Sequence, residues 1–176
     1  TAPANTETGA LVEYRIRLNS GSYSAWGSTY TAPTADGAYD VQVRQNDAAG
    51  NVSTSQTLSF TLDTTAPAAG TGALAAASDT GTLGDNKTND NTPALSGTAE
   101  ANATVQVAVN GQTYTVTANA QGAWSLPATA TLPDGTYTPV ITVTDAAGNS
   151  STTNGTPFTV DATAPAVGAG ALATAS

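Results

Sequence analysis

Asp63-Thr64-Thr65-Ala66-Pro67 returns as Asp161-Ala162-Thr163-Ala164-Pro165, 98 positions further on. The text before each copy repeats at the same offset. Ala25-Trp26 reappears as Ala123-Trp124, and Asp36-Gly37-Ala38-Tyr39 as Asp134-Gly135-Thr136-Tyr137. Asp47-Ala48-Ala49-Gly50-Asn51 reappears unchanged as Asp145-Ala146-Ala147-Gly148-Asn149, and Phe60-Thr61-Leu62-Asp63 as Phe158-Thr159-Val160-Asp161. After the stretch, Gly70-Thr71-Gly72-Ala73-Leu74 becomes Gly168-Ala169-Gly170-Ala171-Leu172. A constant offset without a gap means tandem copies of one folding unit, so the five-residue stretch is the joint between copies.

The expected division is a first unit over 1–63, a complete second unit over 64–163, and the opening of a third over 164–176. Aligning Glu7 to Val12 with Glu100 to Val105 leaves the first unit without a counterpart of the first strand or of the loop 78–91. It is either naturally short or begins inside a domain. The tail 164–176 is expected to fray, with strand donation to an open sheet edge of another molecule as the alternative.

Alternation with period two marks the strands. In the first unit Val12, Tyr14, Ile16 and Leu18 alternate with polar residues, as do Tyr39, Val41 and Val43, and then Leu58, Phe60 and Leu62. In the second unit the alanine-rich 73–77 is a weak first strand whose text also reads as helix. Strands are expected from 93–98, at Val105, Val107 and Val109, at Tyr114 and Val116, at Trp124 and Leu126, at Tyr137, Ile141 and Val143, and at Phe158 and Val160. Asn110-Gly111 between two such runs is the signature of a two-residue type I′ hairpin turn. Pro139 occupies the place of Val41 and must lie where no ladder donor is needed, or at a bulge. Short strands separated by turn clusters predict an all-β fold: tandem immunoglobulin-like antiparallel β-sandwiches joined end to end. Trp124, Tyr137 and Phe158 are expected in the core; Tyr23, Tyr30 and Tyr114 are left as candidates for a recognition surface.

Composition narrows the chemistry. The 176 residues contain no Cys, Met or His, which excludes disulfides and thiolate chemistry and removes the commonest general base and metal ligand. A net charge of −9 with only four basic residues argues against binding nucleic acid. No apolar run reaches membrane-spanning length. There is no nucleophile motif and no phosphate-cradling glycine loop. An enzyme is not expected, although a carboxylate-pair glycosidase is formally open. A recognition module for a glycan, ice or a host surface is the alternative to a structural role.

The Asp-Thr-Thr-Ala-Pro joint, the Asp-Ala-Ala-Gly-Asn loop and Ser78-Asp79-Thr80-Gly81-Thr82-Leu83-Gly84-Asp85-Asn86 together resemble the bacterial Ig-like repeats of giant surface adhesins. These are the biofilm-associated and RTX-type proteins of Gram-negative bacteria. The resemblance covers nearly the whole chain. It implies an extracellular, type I-secreted stalk whose partners are neighbouring repeats of the same chain, stiffened by calcium at or near the joints. A monomer without membrane insertion is expected.

Ig-like topology gives that calcium candidate ligands. Loops at the front of the second unit would bring together Asp63, Glu100, Asp145 and Asn149. The equivalent set on the first unit is Glu7, Asp47 and Asn51. At the far end Asp79, Asp85, Asn86 and Asp90 would approach Asp134 and Asp161. Clustered carboxylates with few basic partners repel one another, and a hard dication taking 6–8 oxygens relieves that repulsion; magnesium demands tighter octahedral geometry. The competing reading is that Asp and Asn are turn formers, which suits Asp36 and Asp134 well.

Overall fold

A computed structural model describes residues 8–168, and the chain divides into two compact units, 1–65 and 66–176. Each is described by itself. Among the described residues there is no helix, and the text at 73–77 forms a two-residue strand followed by a turn.

In the first unit, β1 (Leu11–Leu18), β2 (Gly37–Asn46) and β3 (Gln56–Leu62) form one antiparallel sheet in that order. Alternation splits its two faces. Tyr39 and Val41 are buried on one side. On the other, Glu13 stands opposite Arg44 and Arg17 opposite Asp40. Both registered pairs close as ion pairs, with Nη2 to carboxylate distances of 2.7 and 2.6 Å respectively. Leu58 on the outer strand remains 65% exposed, so this sheet buries only part of its apolar face.

The segment 24–27 adds to the free edge of β1. Tyr14 and Gly27 exchange backbone hydrogen bonds of 2.8 and 2.9 Å, and the Ser24 amide donates to the Ile16 carbonyl at 2.8 Å. Trp26 is thereby turned to the polar face, where it lies against the guanidinium groups of Arg15 and Arg44 at 4.6 and 4.2 Å. Tyr23 likewise lies against those of Arg15 and Arg17, at 4.5 Å each. The result is a ladder, Arg17–Tyr23–Arg15–Trp26–Arg44, in which each ring contacts two cations.

Among the described residues the second unit carries ten strands: β4 (Ala73–Leu74), β5 (Lys87–Thr88), β6 (Leu95–Thr98), β7 (Thr104–Val109), β8 (Gln112–Thr117), β9 (Ala123–Leu126), β10 (Gly135–Tyr137), β11 (Val140–Thr144), β12 (Ser150–Asn154) and β13 (Phe158–Val160). One sheet runs β4-β6-β9, the opposing one β12-β11-β7-β8, and β10-β13-β5 extends the fold with β5 and β13 parallel. Inward residues from both sheets meet: Leu95, Val105, Val107, Ile141 and Val143 are wholly buried, with Trp124 and Phe158 nearly so. The indole Nε1–H of Trp124 donates to the Thr71 carbonyl at 3.0 Å, which satisfies its one polar atom inside the core. Tyr114 also packs against this core, and its hydroxyl accepts from the Ala130 amide at 2.5 Å; it is not a free recognition ring.

Two local expectations hold for local reasons. Asn110 and Gly111 both take positive φ, 48° and 75°, as a type I′ turn requires. Pro139 sits between β10 and β11, where the ladder breaks and the chain passes from one sheet to the other; its carbonyl accepts from Gly155 at 2.8 Å. In the first unit Val41 stands at this position and β2 runs on unbroken.

Candidate functional site at the ends of the domains

The Asp-Ala-Ala-Gly-Asn loops are self-contained turns. In the second unit Asp145 Oδ1 accepts from the amides of Ala147, Gly148 and Asn149 at 2.9, 2.7 and 2.9 Å, and Oδ2 accepts from Asn149 Nδ2 at 2.9 Å. Asp47 does the same with Ala49, Asn51 and the Asn51 side chain at 2.7–2.9 Å. The glycine completes the turn in the left-handed region, at φ 89° for Gly50 and 98° for Gly148. Hydrogen bonding from the Asn side chain, with the amides behind it, holds both carboxyls below the usual carboxylate range. Both carboxylates therefore serve as turn acceptors. Glu100 is exposed in the turn between β6 and β7, with Ala103 donating to its backbone carbonyl at 3.1 Å. Asp63 Oδ1 accepts from the Thr65 amide at 3.1 Å. Asp63 belongs to the first unit and Glu100, Asp145 and Asn149 to the second. Glu7 lies outside the described residues.

The loop 78–91 distributes its acids differently. Asp79 Oδ2 accepts from the Gly84 amide at 2.5 Å, whereas Asp79 Oδ1 is buried without a hydrogen-bond partner among the described residues. Asp90 Oδ1 accepts from the amide and hydroxyl of Thr92 at 2.8 and 3.0 Å, and Oδ2 from the Ser78 hydroxyl at 3.4 Å. Asp85 caps the Lys87 amide at 3.0 Å and lies 3.9 Å from its ammonium. Asn86 takes φ 59°, a conformation Asn tolerates, and offers its carbonyl to the Thr159 amide at 2.9 Å. Asp85 and Asp161 line one open hollow together with Lys87 and Asn89. Among the described residues no three acidic side chains converge on one point.

Asp134 is engaged at the exit of the second unit. Its Oδ1 accepts from the Ala162 amide at 2.8 Å and its Oδ2 from the Thr163 hydroxyl. Its repeat equivalent Asp36 accepts from the amide and hydroxyl of Thr64, both at 2.8 Å, and from the Thr65 hydroxyl at 2.6 Å. Threonine hydroxyl donation, aided by the amide, depresses both carboxyl pKa values. Each Asp belongs to an Asp-Gly-x-Tyr turn. The glycine opens it, and the tyrosine hydroxyl closes it by donating to a backbone carbonyl four residues back: Tyr39 to Ala35 and Tyr137 to Pro133, both at 2.7 Å. The joint-holding role of Asp36 and Asp134 goes beyond the turn-forming one read from the text. Its signal was present, an Asp-Gly-x-Tyr recurring 28 positions before a joint residue in both repeats.

A family model described as the bacterial Ig-like domain matches the chain twice, over residues 7–64 and 65–162. Among solved structures, one similar to this chain is a tetra-tandem repeat in the extending region of a large adhesion protein, at 24% identity and a TM-score of 0.47. The match covers 88% of this chain and 42% of that one. A second is a Ca2+-stabilized adhesin with which an Antarctic bacterium binds ice, at 30% identity and a TM-score of 0.37, covering 86% and 40%. A third comes from a 1.5-MDa bacterial ice-binding adhesin, in work on host cell surface retention; it has 27% identity and a TM-score of 0.38, covering 86% and 53%. The chain spans about half the length, or less, of each of these structures. No curated protein matches it.

Proposed function

From the premise that this chain belongs to the bacterial Ig-like domain family, we propose that its repeats are structural spacers of a large bacterial cell-surface adhesin, carried outside the cell and stiffened by calcium. The observation that carries the spacer reading is the joint. The same carboxylate contact fastens the exit of both units. Beyond the first exit Pro67 is buried, and the Ser151 hydroxyl donates to the Ala68 carbonyl at 3.3 Å. Pro67 also fixes its own φ and biases Ala66 toward extended geometry. A joint of this composition has none of the glycine and serine that make a linker loose.

A direct recognition role is the weaker reading. Tyr30 is 42% exposed and tilts on Tyr14 with ring centroids 6.0 Å apart, whereas Tyr23 and Trp26 each contact two guanidinium groups. Their faces are occupied by this chain's own side chains.

Calcium fits best in the loop 78–91. Asp79 Oδ1 is an anionic oxygen taken from water without a donor, an arrangement that a bound cation relieves. Asp79, Asp85, Asn86, Asp90 and Asp161 would supply oxygens, with loop carbonyls adding to them. The ion would neutralise charge and fix the loop. At the other end, the oxygens of Asp47 and Asp145 are engaged by amides of their own turns, which leaves these two carboxylates less suited to a cation. Asp134 is engaged at the joint. Extracellular calcium modules bind at about 10⁻⁴–10⁻³ M, so millimolar calcium would stabilise a domain by roughly 0.4–1.4 kcal/mol per site. Thermal melting and small-angle scattering of the whole chain, with calcium and then with chelator, test both parts. A melting temperature indifferent to calcium removes the metal; a side-by-side pair of units removes the spacer.

A further inference from the structure

We infer that the Asp-Gly-x-Tyr turn of each repeat is a metal-independent latch that fixes the direction in which the chain leaves its domain. This rests on the spacer reading but assigns the joint's rigidity to hydrogen bonds within each unit. Three features carry it. The contact is made twice, at repeat-equivalent positions, by Asp36 on Thr64 and Thr65 and by Asp134 on Ala162 and Thr163. It uses both carboxylate oxygens on two successive residues, so it restrains the backbone through an amide and the side chain through a hydroxyl. The base of the latch is itself held. The Tyr39 and Tyr137 rings pack on Phe60 and Phe158 with centroids 5.5 and 5.8 Å apart, and their hydroxyls tie the turn to its own start.

Chemistry explains the residue choice. A carboxylate acceptor makes stronger bonds than a neutral one and takes two donors at once. The latched positions hold Thr64 and Thr65 in one repeat and Ala162 and Thr163 in the other, where a glycine would leave the exit free to rotate. With its oxygens engaged in this way, Asp134 works as a positioning residue, and no cation is required for that work.

Amide hydrogen exchange on the full chain tests this, because the Thr64 and Ala162 amides donate directly to the two carboxylates. In the wild type both amides exchange slowly, with and without excess chelator. Asp36→Ala speeds Thr64, and Asp134→Ala speeds Ala162, each by about tenfold or more, while the β2 and β11 ladder amides keep their protection. Thr65→Val and Thr163→Val leave every carboxylate in place and raise mobility at the same joints by a smaller factor. Fast exchange in the wild type overturns the latch, as does no response to the Asp variants. Loss of protection on chelation alone also overturns it and hands the joint to the metal.

Discussion

The hydroxyl of Tyr137 donates to the carbonyl of Pro133 at 2.7 Å, four residues back along the chain. This short link closes the turn that presents Asp134 to the exit of the second unit, and Tyr39 makes the same link to Ala35 in the first. Tyr137→Phe keeps the ring against Phe158 and removes only that hydrogen bond. The expected loss is about 0.5–1.5 kcal/mol in urea unfolding of the second unit, with faster exchange at Ala162. A variant as stable as the wild type at both readouts would place the hydroxyl outside the latch.

Burial separates two aliphatic residues that the alternation pattern treats alike. Ile141 is wholly buried between the sheets, whereas Leu58 is 65% exposed on an edge strand. Ile141→Ala is expected to cost about 2–5 kcal/mol, and Leu58→Ala within about 0.5 kcal/mol of nothing. Equal effects in denaturant titration would contradict this core.

Gly97 is needed for close approach. A Cβ there would lie 2.0 Å from the Thr71 carbonyl oxygen and 2.8 Å from the Trp124 ring. Gly97→Ala must push the Thr71 segment away and break the Trp124–Thr71 hydrogen bond. A loss of more than about 1–3 kcal/mol is expected, with a red shift in Trp124 fluorescence. In a variant that also carries Trp26→Phe, that emission is read alone.

Acid should unfold the protein through these same carboxylates. Asp36, Asp47, Asp134 and Asp145 all have depressed pKa values in the folded state, chiefly from side-chain hydrogen bonds. A depressed folded pKa means that the unfolded state binds protons more readily. The stabilisation is therefore full above the ordinary carboxylate pKa of about 4 and lost as pH falls through the lower folded values. Melting temperature should be flat from neutral pH down to about 5 and fall below about 4. Asp145→Asn should shallow that acid limb; an unchanged limb would remove the turn carboxylate from the account.

Asp79 offers a test with opposite signs. Without calcium, Asp79→Asn replaces a buried unpaired anionic oxygen with a neutral one, so stability should rise or hold. With millimolar calcium the wild type should gain stability and the variant should not. The same calcium response in both proteins would exclude Asp79 as a ligand.

Much of this protein is written locally in its sequence. Period-two alternation set the faces of β1, β2, β7 and β11, and Asn110-Gly111 set its hairpin, because side-chain direction in a strand and turn conformation depend on a few adjacent residues. The repeat and its joint follow from the text alone. Tertiary structure decided what depends on which remote segment arrives beside a residue. Trp26 and Trp124 sit at the same place in the repeat, yet one strand edge carries Trp26 to a stack of arginines, and pairing of β9 with β6 carries Trp124 into the core. The sequence requires Pro139 to lie where no ladder donor is needed, and the change of sheet between β10 and β11 provides that place. The carboxylates divided in the same way. Asp47 and Asp145 find their donors within four residues, as turn chemistry alone provides. Asp36 and Asp134 find theirs 28 or 29 residues away, across antiparallel pairings that bring the turn beside the joint. A carboxylate's partner is set by whichever donor the fold places within about 3 Å of it, and only the packed chain determines that distance.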